Sequence, residues 1–431
     1  MNFMGSLGND MLQLAERLIP IYRTITSPGL KESLEIIRDQ ELPGLKISSF
    51  KTGKKVFDWE IPRVNTVNFA YIETPNGERI CEFSVNNLHL VAHSKAINIE
   101  IPLSELQEHL YSIPDQPDAI PYVTSYYGDT WGFCLTHKQR MNLIDGNYRV
   151  VIDAESKTGN MFYGELVIPG KSRKEVLIST YLCHPNMANN ELSGPVVATY
   201  LAKYLLQKNN HYTYRFIIIP ETIGSIAYIS RNLRNLKKRL KAGFVLTCLG
   251  DERSFSMVQS RKGGTLSDRV AEYVITRITD SPRFYSWSER GSDERQFCAP
   301  GVDLPVASIM RSKYHTYPEY HTSLDTIGQV VTADGLCGGF EFAKQIMDVI
   351  ENNVKPIATI KCEPMLGRHN LYPNVSIKNG YEDTKIFTEL LTWSDGEIDL
   401  IEISKKTGFE VEELYRAARI LSDKKLLKTR Y

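Results

Sequence analysis

Residues suited to metal chemistry stand where predicted strands end. His184, Glu221 and Asp251 each close a short apolar run, in the segments VLISTYLCH, RFIIIPE and FVLTCLGD. In open α/β sheets, ligands bind at the carboxyl ends of the strands. Imidazole and carboxylate groups together suit Zn²⁺, with one position left for water. The spacing therefore predicts a metal or general-base site at this edge of a sheet.

A fourth strand, PVASIM, leads into a loop with further candidates. The loop RSKYHTYPEYHTSLD contains His315, His321 and Asp325. A carboxylate placed directly after a buried strand must be paired, ligated or solvated, because burying it alone is costly. One histidine after a strand is most often a surface or core residue, whereas four such strand ends favour a shared site.

Composition limits the class of protein. The 431 residues predict two or three domains, and 51 Lys and Arg against 51 Asp and Glu give no net charge, so no global field favours nucleic acid or an anionic membrane. Seven scattered cysteines indicate a reducing compartment. Without a basic, continuously apolar leader or an 18-residue apolar run, we expect a cytoplasmic protein and no membrane segment.

The hydrophobic pattern changes along the chain. Helical periodicity occupies the first 55 residues, short β-branched and aromatic runs with a Pro-Asn-Gly turn follow, and strands then alternate with amphipathic helices. Such alternation predicts a mainly parallel sheet flanked by helices, an α/β fold. The predicted domains are an α/β domain over 1–55 and 150–360, an inserted β-rich domain over 56–149, and a helical module over 370–431.

The tail has the pattern of a helix-turn-helix or winged helix. Predicted helices over 400–407 and 411–421 are separated by a break at Gly408. Three-helix modules also serve in packing and dimerisation, and these roles are favoured over nucleic-acid binding because the basic end KKLLKTR is short.

Taken together, these motifs resemble one family. CHPNMANNELSGP, PETIGS, CLGDE, SDERQF and YHTSLDT are similar, in order, to the site motifs of the M28-type zinc aminopeptidases. FDWEIP and SYYGDTWGFCL resemble a bacterial branch with an inserted β domain like DUF2172 and a C-terminal winged helix like DUF4910. The resemblance covers nearly the whole chain and implies a phosphorylase/hydrolase-like α/β zinc-exopeptidase fold.

The resemblance also implies residue roles. His184 and Asp251 would bind one zinc ion and His321 the other, while Tyr320 would help to hold an oxyanion. The implied chemistry is attack on a peptide carbonyl by water whose pKa the zinc lowers, with Glu221 as the catalytic carboxylate.

Two positions depart from the family pattern. The bridging aspartate is replaced by Asn190, so either Glu191 takes its place as a metal ligand or the site binds one ion. The usual Glu-Glu pair is reduced to Glu221 before Thr222, which leaves one carboxylate to act as base or as ligand. One or two zinc ions are therefore compatible with the sequence.

Other residues are candidates for supporting or substrate-binding roles. Asp325 or Asp293 could orient an imidazole through its second nitrogen, and Arg261 could bind a substrate carboxylate, although a structural arginine is favoured. Asn190 and His315 are also candidates for a supporting or substrate-binding role. Ser193 is placed to cap the helix that follows the loop. Cys183 is expected to be an inert core thiol.

These observations favour a zinc-dependent aminopeptidase acting on peptides or peptide-like amides. The alternative is a catalytically degenerate peptidase fold that senses a ligand or serves as a scaffold through its winged helix, as Asn190 and the single Glu221 would allow. A deacylase of non-peptide amides is a third hypothesis. A homodimer is the default expectation for the assembly.

Overall fold

The computed structural model describes residues 3–371 and 382–431, and forms two compact units. The first contains residues 1–268 and 279–343, and the second contains residues 269–278 and 344–431. The helices are α1 (Phe3–Leu18), α2 (Pro28–Gln40), α3 (Leu103–Leu106), α4 (His137–Met141), α5 (Ser193–Leu206), α6 (Ile223–Arg239), α7 (Leu266–Ile278), α8 (Glu294–Phe297), α9 (Ala333–Asn352), α10 (Glu382–Thr392), α11 (Leu400–Thr407) and α12 (Val411–Asp423).

Strands of five sheets alternate with these helices. They are β1 (Lys46–Lys51), β2 (Lys55–Val56), β3 (Trp59–Glu60), β4 (Val64–Glu73), β5 (Arg79–Ile80), β6 (Ile97–Pro102), β7 (Leu110–Tyr111), β8 (Phe133–Cys134), β9 (Asn147–Lys157), β10 (Asn160–Ile168), β11 (Glu175–Tyr181), β12 (Thr213–Ile219), β13 (Leu240–Leu246), β14 (Ser256–Val258), β15 (Arg283–Tyr285), β16 (Val306–Met310), β17 (Lys355–Ala358) and β18 (Leu427–Arg430).

The main sheet of the first unit has eight strands in the order β1-β10-β12-β11-β13-β16-β14-β15. Its centre, β12-β11-β13-β16, is parallel, whereas β1, β10 and β14 join in antiparallel pairs. Every residue of β11 and β16 is buried, as expected for strands covered on both faces. The predicted α/β class, with a mainly parallel sheet flanked by helices, is confirmed.

A second sheet lies within the same unit. Strands β5-β4-β9-β6 pair antiparallel, and β4 turns into β5 through the predicted Pro-Asn-Gly turn, where Gly77 has φ 83°. A buried cluster that includes Tyr148, Val150 and Phe133 packs against one face of this sheet. The segment 120–123 extends from this region and pairs with the loop that carries His321, since Pro121 forms an isolated bridge with Thr322.

The second unit contains the winged helix. Gly408, with φ 80°, ends α11 and allows the turn into α12, while β17 and β18 pair antiparallel as the wing. Asp399 caps α11 and forms an ion pair with Arg269 at 2.5 Å, which ties residues 269–278 to this unit. Part of the predicted 370–431 module, residues 372–381, lies outside the described residues.

Two predictions from the sequence concern the cysteines and membrane-spanning helices. Six cysteines are buried and one, Cys362, is exposed, and none of the seven is in a disulfide. Across residues 3–371 and 382–431, no helix is long and apolar enough to cross a membrane.

Candidate metal centre

The loop after β11 carries His184 and Glu191 into the interior. It ends in a π-helical turn over residues 188–192 that runs directly into α5. The prediction that Ser193 caps α5 is wrong, because Leu192 holds the cap position. The Ser193 hydroxyl instead donates to the Asn189 carbonyl at 2.5 Å and accepts from the Leu249 amide at 2.8 Å. These bonds join the loop to the segment after β13.

Glu191 orients His184. Its Oε2 lies 2.6 Å from Nδ1 of His184, while Nε2 of the same ring lies 3.7 Å from Oε2 of Glu221. Burial lowers the pKa of His184, and the interactions of the ring with Cys183 and Glu191 outweigh this and raise the pKa well above its ordinary value. A carboxylate on one ring nitrogen leaves the other free to bind a metal, the usual arrangement of ligating histidines.

Glu221 reaches the same space from the end of β12. Its Oε1 accepts a hydrogen bond from Ser292 Oγ at 2.8 Å, and burial raises the pKa of the carboxyl group. The next residue, Thr222, has φ 62°, which is rare for a β-branched residue and costs energy. Asp293 stabilises this turn, because its Oδ1 accepts from the Thr222 amide and from Ser225 Oγ, both at 2.7 Å.

His321 completes the arrangement from the loop after β16. Its ring centroid lies 5.6 Å from that of His184, and it stacks on Tyr320 at 3.9 Å. Burial and the neighbouring imidazoles lower the pKa of His321 to about 2, so this ring is neutral, as a metal ligand must be. The amide of Tyr122 donates to the His321 carbonyl and helps to hold its backbone at φ 55°.

Asp251 is not brought to these side chains. Its two oxygens accept four hydrogen bonds, from the amide and hydroxyl of Ser312, the Asn189 side chain and the Arg253 amide. This carboxylate therefore joins the Asn189 loop to the end of β16. Among the described residues, the one group of three metal-competent atoms within 4.8 Å is Cys183, His184 and Glu191.

The predicted supporting carboxylates have structural roles instead of orienting an imidazole. Asp325 accepts from the amides of Asn189 and Asn190 at 2.8 and 2.9 Å and from Tyr317, so it holds the π-helical turn. Asp293 holds the turn at Thr222, as described above. Neither carboxylate has a hydrogen bond to an imidazole among the contacts described, and the imidazole of His184 is bound by Glu191 instead.

The remaining candidates lie apart from one another. Arg261 donates to the Cys298 carbonyl and forms an ion pair with Asp303, so its guanidinium is used structurally. His315 is exposed, with its ring 4.6 Å from that of Tyr320. Asn190 accepts a hydrogen bond from Tyr181 at 3.1 Å. Burial raises the pKa of Cys183 to about 11, which keeps its thiol protonated.

A cavity of about 250 Å³ opens beside His184 and Glu221. Four of its lining residues precede the alternation of strands and helices, and the sequence did not predict them as part of the site. The lining residues are Ile25, Trp59, Tyr126, Tyr127, Cys183, His184, Glu221, Thr222 and Ile223. Their apolar and aromatic character suits an uncharged group of a bound ligand.

Sequence reasoning also missed Arg23. Its side chain is fully buried, and Nε lies 3.8 Å from Oε1 of Glu191. The loop between α1 and α2 has no pattern that marks this residue, because the pairing arises only from the fold.

The donor set fits one zinc ion. Two ligand atoms, each about 2.0–2.2 Å from a tetrahedral zinc ion, lie roughly 3.3–3.6 Å apart, and the Nε2–Oε2 distance between His184 and Glu221 is 3.7 Å. His321 lies on the adjoining loop, with its ring centroid 5.6 Å from that of His184, and does not form a group of three ligand atoms within 4.8 Å with these two residues. It is therefore a candidate third ligand that would have to approach a bound ion. Asn190 is neutral and Asp251 is fully hydrogen bonded, so neither of these two predicted residues is free to hold a second ion here.

Comparison with known structures identifies the fold. The chain aligns with a peptidase M28 precursor of Shewanella amazonensis at TM-score 0.60 and 12% identity, covering 83% of this chain and 95% of the other. It aligns with a zinc aminopeptidase of Bacillus subtilis at TM-score 0.58 and 14% identity, covering 80% and 95%. The fold is thus that of the M28-type zinc aminopeptidases.

The chain belongs to the DUF4910 family, a domain of unknown function whose model matches residues 12–353. A separate winged helix-turn-helix model matches residues 354–429. The winged-helix prediction is confirmed, but DUF4910 describes the region before that module.

A Clostridium acetobutylicum protein, provisionally named a polysaccharide biosynthesis protein with an aminopeptidase-like domain, is 38% identical over 98% of this chain and 96% of its own length. A crystal structure of a provisionally assigned peptidase from the same organism has TM-score 0.92 and 37% identity, covering 99% and 97%. These relatives support a peptidase-like function.

Proposed function

We propose that this chain is a metal-dependent amide hydrolase of the aminopeptidase class. The observation that carries the proposal is the approach of His184 Nε2 to Glu221 after two neighbouring parallel strands, beside a cavity, with the His321 ring on the loop that follows a third parallel strand. All three side chains belong to the first unit, residues 1–268 and 279–343. Bound zinc would supply a water molecule with a lowered pKa and would polarise the carbonyl group.

The protein's own residues would bind and orient the substrate. Glu191 keeps the Nδ1 side of His184 occupied, so that Nε2 faces Glu221. Ser292 would hold the Glu221 carboxylate as a ligand, and the phenol of Tyr320, stacked on His321, would donate to a developing oxyanion. The aromatic walls of the cavity would exclude water from the group next to the scissile amide.

The proposal is tested by the products of hydrolysis. We expect the zinc-loaded full-length protein to release the first amino acid from peptides with a free amino terminus, and to leave acetylated peptides intact. A panel of N-acylated amino sugars tests the deacylase hypothesis. The name of the Clostridium relative, which mentions polysaccharide biosynthesis, motivates this choice of substrates.

A matched pair of histidine variants makes this test specific. His321→Ala should abolish activity and lower zinc retention while the protein stays folded. His137→Ala is the control, because His137 lies on α4 and hydrogen bonds Ser112. Hydrolysis unaffected by His321→Ala, or none from any amide in zinc-saturated wild-type protein, would contradict the proposal and favour the scaffold hypothesis.

A further inference from the structure

Arg23 is an unusually placed cation. It lies in the loop between α1 and α2, is completely buried, and donates through Nη1 to the Leu18 carbonyl. Its Nε and Nη2 have no hydrogen-bond partner within the described part of the chain, and the same is true of Oε1 of Glu191, 3.8 Å from Nε. A buried charge persists only with compensation, so these two groups must balance each other.

Glu191 therefore serves two partners. One oxygen accepts from Nδ1 of His184, and the other faces the guanidinium of Arg23. A carboxylate that bridges two metal ions would need both oxygens for the metals. The side chains on either side cannot replace it, since Asn190 carries no charge and Asn189 is engaged with Asp251 and Gly250.

Charge counting leads to the same conclusion. The centre places two carboxyl groups, those of Glu191 and Glu221, near the buried guanidinium of Arg23 and one divalent ion. A second divalent ion would add two further positive charges beside a guanidinium that cannot be deprotonated. In a buried site this repulsion is poorly screened.

We infer that the centre takes one divalent ion, and that the guanidinium of Arg23 occupies the role of a second cation beside Glu191. The inference rests on the proposed function in that both need an ion held by His184, Glu221 and His321. It adds a latent second site. Cys183 and Glu191, which the first ion does not use, present a thiol and a carboxylate within 4.8 Å of each other, and the cation of Arg23 beside Glu191 blocks this pair.

Metal stoichiometry tests the inference. The full-length protein is freed of metal by dialysis against a chelator and titrated with Co²⁺, with bound metal measured by mass spectrometry and the ligand field by visible absorption. We expect saturation at one ion per chain and no sulfur-to-cobalt absorption band. Two ions per chain in the wild type would overturn the inference and leave the hydrolase proposal intact, whereas no bound ion would overturn both.

Replacing Arg23 should open the latent site. In Arg23→Met the chain should bind a second cobalt ion and develop a thiolate-to-cobalt band, which Arg23→Met combined with Cys183→Ser should lose. Arg17→Met is the control, because Arg17 forms a partly exposed ion pair with Glu41. A stoichiometry that stays at one in Arg23→Met would overturn the blocking role.

A stability measurement covers the case in which Arg23→Met folds poorly. Removal of one member of a buried ion pair leaves the other uncompensated, whereas removal of both is tolerated. Arg23→Met should lower the Tm of the metal-free protein, and adding Glu191→Gln should restore most of the loss. A double variant no more stable than Arg23→Met would show that the two charges do not balance each other.

Discussion

At the scale of single residues, the contacts of each side chain determine which groups are available to bind a ligand. His184 has Glu191 at one ring nitrogen and faces Glu221 with the other, so the orientation of its ring is set before any ligand binds. The carboxylates that hold the surrounding loops, Asp251, Asp293 and Asp325, are each occupied by backbone amides. A position just after a strand therefore does not distinguish a candidate metal ligand from a carboxylate that stabilises a loop.

A histidine outside the site should make stability depend on pH. Nε2 of His93 lies 3.0 Å from the Thr24 hydroxyl, and burial lowers its pKa from 6.5 to about 4. Because the unfolded state binds the proton more tightly, stability is complete above pH 6.5 and is lost as the pH falls through 4. The loss should be of the order of 3 kcal/mol, in proportion to the pKa shift.

Urea unfolding of wild type and His93→Gln between pH 7 and pH 4 measures this effect. The difference in the free energy of unfolding between the two proteins should shrink over that interval, because only the wild type carries the titrating group. A constant difference would mean that His93 has an ordinary pKa in the folded protein.

Residue-scale features also mark the limit of prediction from sequence. His184 and Glu221 could be located because an apolar run ends abruptly before each of them. Arg23 could not, since its partner Glu191 lies far along the chain and only the packing of the α1–α2 loop joins them. Asp251 looked equivalent to Glu221 until β16 brought the Ser312 amide and hydroxyl to its oxygens.

At the scale of elements, close packing positions the loop that carries Glu191. A Cβ on Gly194 would lie 2.4 Å from the Leu246 carbonyl oxygen and 2.6 Å from Thr180 Oγ1, so α5 can approach β11 and β13 only with glycine here. Gly194→Ala should destabilise the protein by about 1–3 kcal/mol through overpacking and reduce zinc retention.

The control for this change is Gly128→Ala. The nearest atom to a Cβ at Gly128 is 3.5 Å away, which is an ordinary contact. Thermal unfolding and metal content should therefore be close to wild type in Gly128→Ala and lowered in Gly194→Ala. Equal behaviour of the two variants would show that α5 can shift without disturbing the site.

The segment around β3 should govern substrate affinity. Trp59 and Tyr127 line the cavity, with ring centroids 5.8 Å apart, and both remain partly exposed. Trp59→Ala should raise KM about five- to tenfold with unchanged zinc content, because it removes apolar contact present in the ground state and the transition state alike.

Phe69→Ala provides the comparison for Trp59→Ala. Phe69 on β4 is 47% exposed, against 39% for Trp59, and it stacks on Tyr71 rather than lining the cavity. Steady-state kinetics on the best substrate should show no change in KM for Phe69→Ala. If Trp59→Ala left KM within twofold of wild type, the 250 Å³ cavity would not be the substrate pocket.

The sequence predicted which segments are helices and strands, but it did not predict the structure of the turns that join them. The predicted helix over 400–407 matches α11, since Gly408 gives a clear stop. The π-helical turn over 188–192 was missed because its hydrogen bonds depend on Asp325, contributed by a distant loop. A helix cap at Ser193 was the local expectation, and the tertiary contact to Leu249 replaced it.

At the scale of the whole molecule, charge argues against tight DNA binding by the winged helix. The chain has no net charge, and the first turn of α12 contains Glu412 and Glu413. We expect the full-length protein to bind duplex DNA at physiological salt no more tightly than roughly 10⁻⁴–10⁻⁶ M, the range of non-specific binding.

Fluorescence anisotropy with mixed-sequence duplexes measures this affinity. Glu412→Lys combined with Glu413→Lys should tighten binding and steepen its salt dependence, because added cations release counterions from phosphate. Nanomolar binding by the wild type would contradict the prediction and would favour a regulatory role for the second unit.

The distribution of thiols gives the natural chain a practical property. Six cysteines are enclosed and Cys362 alone is exposed, at the surface of the second unit. A maleimide dye or spin label added to the folded protein should therefore react at one position without any engineering. The same solitary thiol makes air oxidation a route to covalently linked pairs of chains, so a reductant in storage buffer prevents an artefactual dimer.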